Sequence, residues 1–110
     1  MANTFYRKVS RNVGNTAVSI GSYTVGSGNT SIVLGLTVCN TTGAAINTSV
    51  YINDGSNNYY LIKDAPVPGG GSLVVIGGDQ KVVLQASDSM RVISDAVTSV
   101  DAVMSIMEIS

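Results

Sequence analysis

Gly, Pro and Asn interrupt this sequence so often that no stretch of useful helical length keeps apolar residues at i, i+3, i+4 and i+7. Between the interruptions lie short runs rich in Val, Ile and Thr, which together make up about a third of the chain. Branched side chains of this kind pack well on a pleated surface and lose rotamer freedom in a helix. Strands are therefore expected throughout, with no helix longer than about two turns. Residues 31–40 show the pattern most openly: Ile32, Leu34, Leu36 and Val38 alternate with Val33, Gly35, Thr37 and Cys39. That alternation predicts a strand with the first set on the core and the smaller set facing away.

The same reasoning places strands at residues 4–9, at 17–25 with a kink at Gly21, and at 45–53 as the partner of 31–40. The polar segment 53–58 is a turn, from which 59–63 returns antiparallel. Asp64 to Pro68 is expected to break the pairing, because neither proline can donate to a ladder. Further strands are expected at 72–76, at 81–85 after a turn at 77–79, at 89–94 and at 100–109. Short antiparallel strands at this spacing predict an all-β, two-sheet β-sandwich, with immunoglobulin-like and jelly-roll topologies both open. The 110 residues allow one domain, 13–110, preceded by an extended basic arm over residues 1–12.

Composition removes many chemistries. The chain has no His and no Trp and a single Cys, Cys39. Ser-His-Asp and Cys-His triads, His- or Cys-rich zinc sites, His-ligated haem and an internal disulfide framework are excluded together. No metal or cofactor is expected. No apolar run follows the basic residues near the start, so no secretory signal is expected, and the longest apolar stretch, Leu73 to Ile76, is too short to span a membrane. The expected site of synthesis is a cytoplasm, and Cys39, within an apolar run, is expected to be buried and chemically quiet.

Charge is sparse and uneven. Charged residues are 12% of the chain, about half the usual share for a soluble domain. Arg7, Lys8 and Arg11 precede every acidic residue, and no charge occurs between Asn12 and Asn53. A neutral stretch so long cannot be wholly buried in a domain this small, so part of it is expected to face other protein. The segment 100–109 points the same way: Ala102, Met104 and Ile106 alternate with Val103, Met107 and Ile109, making both faces apolar, as in a strand central to a core or covered by a partner subunit. Three basic residues are too few for a nucleic-acid footprint. Phe5, Tyr6, Arg7, Lys8 and Arg11 are instead the candidate partner-binding residues, on an arm that docks on a neighbour within a homo-oligomer.

Other motifs have plain explanations. Gly77-Gly78-Asp79-Gln80-Lys81 and Pro68-Gly69-Gly70-Gly71-Ser72 look like phosphate loops, yet Lys81 is followed by a strand rather than by Ser or Thr at a helix start, so both read as hairpin turns. Asp54-Gly55-Ser56-Asn57-Asn58 opens like a calcium loop but has Ala65 where the bidentate acid belongs. The acids Asp54, Asp64, Asp79, Asp88, Asp95, Asp101 and Glu108 fall mostly at strand ends, where turn hydrogen bonds account for them. Tyr51, Tyr59 and Tyr60 sit across the hairpin and would serve either as cross-strand packing or as a sugar-stacking patch.

Several segments carry a wider likeness: Asn3-Thr4-Phe5 with Arg7-Lys8 and Ser10-Arg11-Asn12, Gly35-Leu36-Thr37-Val38, Asn53-Asp54-Gly55, Lys63-Asp64-Ala65-Pro66-Val67-Pro68, and the run from Ser72 through Gly77-Gly78-Asp79-Gln80 to Leu84. In these the chain resembles a group of small virion structural proteins of tailed bacteriophages, notably phages of cyanobacteria and marine bacteria. The likeness runs from the arm to Met107-Glu108-Ile109. It implies a particle component, synthesised in the host cytoplasm and assembled into the virion, that is not an enzyme, and it carries over no catalytic residue. Size and surface suit a capsid decoration or cement protein bound to itself and to the major capsid protein or other neighbouring virion proteins, with no specific nucleic acid and no membrane. A neck or tail component is the alternative, and a host-surface carbohydrate-binding module is the competitor from another class.

Overall fold

A computed structural model describes residues 3–110. The strands are β1 (Asn3–Val13), β2 (Val18–Ser19), β3 (Thr30–Asn40), β4 (Ile46–Asn53), β5 (Asn58–Val67), β6 (Ser72–Ile76), β7 (Val82–Leu84), β8 (Ser89–Ser94) and β9 (Val100–Ile109). They form two antiparallel sheets, one ordered β1-β9-β3-β6 with β7 also on β3, the other ordered β2-β8-β4-β5. The expected two-sheet sandwich is present, and the helical content of the described residues is one 3-10 turn at Ile20–Ser22.

The pairing selects the topology. β6 pairs with residues 36–39 of β3 and β7 with residues 31–33, both antiparallel to it, so β6 and β7 are two halves of one interrupted strand. Counted so, the chain changes sheet at every connection except the β4–β5 hairpin, which is the jelly roll. Gly77 to Lys81 is therefore not a hairpin turn. It loops out of a strand that resumes in its original direction, with Gly78 supplying a positive φ of 60°. Likewise β4 is not the partner of β3. The segment between them crosses to the other sheet, where β4 pairs with β5 and β8.

Four further expectations are corrected. The β3 alternation reverses parity, because the register against β9 slips between Val33 and Gly35 and Leu34 becomes the extra residue of a bulge. Val33 is core and Ile32 faces outward, while Leu36 and Val38 keep the expected inward position. Pro66 does not end β5. It pairs opposite Asn47 on the outermost strand of its sheet, where a proline is tolerated. The strand expected at 17–25 is reduced to β2, since Gly21 turns with φ 63°, and its N–H donates to Ser10 Oγ at 2.9 Å. Cys39 faces outward and is half-buried rather than buried.

Residues from both sheets fill the core: Val33, Leu36, Ile76, Leu84, Met104 and Ile106 from one, Val50, Met90 and Val92 from the other, with Ile20 closing one side. Each such burial stabilises by about 1.5 to 3 kcal/mol. At one end the sheets are tied by Asn40, which is fully buried. Its Nδ2 donates to the carbonyls of Ala44, Val67 and Pro68 at 2.7, 3.0 and 3.2 Å, and its Oδ1 accepts from the N–H and hydroxyl of Thr42 at 2.9 and 2.7 Å. That one side chain ties together two of the crossings between sheets, β3 to β4 and β5 to β6.

Candidate functional site

Of the arm expected over residues 1–12, residues 1 and 2 lie outside the described ones; the rest falls in β1, a strand of the first sheet paired along β9 from Asn3↔Ile109 to Val13↔Val100. A strand alternates its side chains between faces, and a directly opposed pair shares a face. Tyr6, Lys8 and Ser10 are paired with Ile106, Met104 and Ala102, all core residues, so they point inward. Phe5, Arg7 and Val9 are paired with Met107, Ser105 and Val103 and point outward. Arg11 lies in the irregular stretch between Ser10 and Val13, exposed beside a polar groove of about 460 Å³ that it lines with Asn12, Asn15, Thr16 and Ser22. The five candidate residues thus divide: Phe5 and Arg7 outward, Tyr6 and Lys8 inward, Arg11 at the groove.

The inward pair has partners within the chain. Lys8 Nζ stands 4.8 Å from the ring centroid of Tyr6 and 4.9 Å from that of Tyr23. The Tyr23 hydroxyl donates to Glu108 Oε2 at 2.6 Å, leaving Ser31 Oγ to donate to the phenol oxygen. Burial, reinforced by the Glu108 hydrogen bond, pushes the Tyr23 phenol up to about 12. These groups close the open side of the sandwich between β1 and the 3-10 turn.

The outward residues belong to a larger surface. Following the pairings across the first sheet gives two unbroken rows. One is Phe5, Met107, Ile32 and Val83; the other is Val9, Val103, Thr37 and Val74. Between them runs a row of small and polar groups, Arg7, Ser105 and Gly35. Phe5 is 69% exposed, Val74 64% and Val83 55%. A sheet face this apolar and this open is a mark of an interaction surface. Sequence pattern pointed to Val103 and Met107 through the two-faced last strand. It missed Ile32, whose side depends on the bulge, and Val74 and Val83, which share a face only because β6 and β7 are one interrupted strand.

The remaining candidates do not assemble. Tyr51 is buried and packs on Tyr60 with ring centroids 4.9 Å apart, whereas Tyr59, one residue along, faces the other way and donates to Asp54 Oδ2 at 3.1 Å. The three tyrosines do not form one platform. Asp54 Oδ1 accepts the N–H groups of Asn57 and Ser56, which hold its carboxyl below the usual range and use the oxygens a cation would need. Asp88, Asp95 and Asp101 similarly accept backbone N–H groups of Gln85, Asn47 and Asn12. Among the described residues no three His, Cys, Asp or Glu side chains gather as a metal site.

No protein-family model and no curated protein matches the sequence. Solved structures do share the fold. A Bacillus endospore appendage, one of a family of disulfide-linked pili, superposes with TM-score 0.58 at 13% identity over 99% of this chain and 87% of that one. The capsid of Helicobacter pylori bacteriophage KHP30 gives 0.56 at 8% identity over 100% and 94%. Infectious bursal disease virus gives 0.54 at 12% identity, over 98% of this chain but 33% of the viral one. At these identities the likeness is one of fold: the chain is a small jelly roll of the architecture used in phage and virus shells and in a pilus.

Proposed function

We propose that the protein is a structural component of a phage virion, bound to the outside of the capsid as a decoration protein. The observation that carries this reading is the outer face of the first sheet, where one apolar row and a second row interrupted only by Thr37 cross the strands with Arg7 between them. Such a face suits repeated docking on a flat, fixed lattice, where many modest contacts add up through high effective concentration. Phe5, Arg7 and Arg11 supply contacts to the neighbour. Tyr6 and Lys8 hold β1 in the shape that presents them. The sequence likeness to phage structural proteins and the jelly roll shared with a phage capsid both support a particle component over an enzyme. A ring at the neck or tail would use the same face.

Cryo-electron microscopy of the intact virion tests this. Density for the chain on the capsid lattice, outer sheet face inward, is the expected result. A neck or tail ring would replace decoration with the alternative, and absence from the particle would overturn both. A glycan array gives the contrast with carbohydrate recognition: specific binding lost on Tyr60→Ala would move the protein to that class.

A further inference from the structure

A sheet edge is a row of unpaired backbone donors and acceptors, and folded proteins blunt such edges unless they use them. The two sheets here have four edges, and three are blunted. β2 is two residues long. β5 carries Pro66 and two register slips. The β6/β7 edge is broken by the Gly77–Lys81 loop. β1 differs: from Asn3 to Ser10 it pairs with β9 in unbroken register, with no proline and no bulge. Its far end is partly covered, because Gly21 packs so closely on Lys8 and Val9 that a Cβ there would lie 2.8 Å from Lys8 Cβ. Asn3 through Arg7 are all exposed. The open edge is thus five residues centred on Phe5.

We propose that this edge pairs with the same edge of a second copy, antiparallel about a two-fold axis through Phe5. Asn3 then faces Arg7 of the second copy, Thr4 faces Tyr6, and the two Phe5 rings meet on the outer face, a favourable aromatic cross-strand pair. Charge favours this occupant over an acidic peptide. Only Arg7 offers a positive charge on the open stretch, since Lys8 is held by two tyrosine rings and Arg11 lies beyond that stretch, in the irregular segment between Ser10 and Val13. In this register each Arg7 meets a neutral Asn3 and the two arginines stay apart. The apolar row Phe5, Met107, Ile32 and Val83 also continues unbroken into its copy across the axis.

The pairing deepens the proposed function. Four strands about 4.8 Å apart and about 33 Å long present an outer face of roughly 600 Å², and doubling it gives roughly 1,200 Å². A stable interface buries about 800 Å² on each partner, so the joined face reaches that size and the single one does not.

The test uses disulfide trapping of the purified protein in a Cys39→Ser background. Phe5→Cys should form a covalent dimer at about twice 11.3 kDa. It should do so at least about tenfold faster than Val9→Cys, since only directly opposed Cβ atoms come within disulfide range. Phe5→Lys should lower dimer mass in sedimentation while leaving the β-sheet circular dichroism unchanged. Equal trapping at both positions, failure of Phe5→Cys to trap in a folded protein, or an unchanged dimer in Phe5→Lys would overturn the pairing. Capture of an acidic peptide at the edge in place of the second copy would overturn it too. None of these outcomes decides whether the chain sits on the capsid, which the virion density reads separately.

Discussion

Lys8 and Tyr23, 15 residues apart in sequence, meet at 4.9 Å with the ammonium over the ring, and Tyr23 in turn donates to Glu108 on the last strand. A cation over an aromatic face contributes about 0.5 to 2 kcal/mol, more as water is excluded. This contact turns a residue that looks like part of a binding arm into a clasp across the side of the sandwich.

The clasp sets a dependence on alkaline pH. The unfolded phenol releases its proton near 10.0 and the folded one near 12. Below pH 10 both states keep the proton and this group adds no slope; between about 10 and 12 the unfolded state loses it first, so stability falls as pH rises. Thermal melts at stepped pH should show Tyr23→Phe losing less stability than the parent over that window. At neutral pH the variant should be less stable by about 1 to 2 kcal/mol, having left Ser31 and Glu108 without their partner.

Asn40→Ala should be among the most damaging single changes. It removes the side-chain donor from the carbonyls of Val67 and Pro68 and the acceptor from the Thr42 N–H, at the point where the chain crosses between sheets. A loss of about 2 to 4 kcal/mol in urea unfolding is expected, because buried partners left unsatisfied cost more than the bonds themselves contribute. A loss below about 1 kcal/mol would contradict the network's role.

Thr48→Val should behave in the opposite way. Thr48 is fully buried on β4, and its Oγ1 is the one buried side-chain polar atom without a partner among the described residues. Replacing a lone buried hydroxyl by a methyl of the same shape removes a desolvation cost, so unfolding free energy should hold or rise by up to about 1 kcal/mol. A clear loss would mean the hydroxyl has a partner.

On the outer face, the double change Val74→Lys and Val83→Lys should leave folding within about 1 kcal/mol, since both side chains are largely exposed. Incorporation into particles, measured as copies per virion, should fall sharply. Unchanged occupancy would remove this face from the docking surface.

Local pattern carried much of the strand inventory. The 72–76, 89–94 and 100–109 segments are β6, β8 and β9, bounded by turn residues that leave little choice. What pattern could not carry is pairing over distance. Nothing near residue 45 marks that β4 belongs to the other sheet, and a Gly-Gly-Asp turn between two apolar runs looks the same whether the chain reverses or resumes. The Leu34 bulge was hidden for a related reason. An extra residue shows only against the partner strand, and it exchanges Ile32 for Val33 at the core. The candidate residues Phe5 to Arg11 were found as a group by composition, but their division between two faces follows from pairing with β9.

The place of β9 between β1 and β3 governs the order in which this chain can mature. As the polypeptide leaves the ribosome, β1 emerges early and its partner emerges about ninety residues later, so the first sheet has no centre until Val100 to Ile109 arrive. Topologies closed by such distant pairing fold slowly, because the loop entropy is spent before the contacts repay it. During that interval β1 is unpaired on both edges, and neighbouring nascent chains on one messenger carry the same open strand. A chaperone, or low expression temperature, should therefore matter more for recovering this protein than its small size suggests.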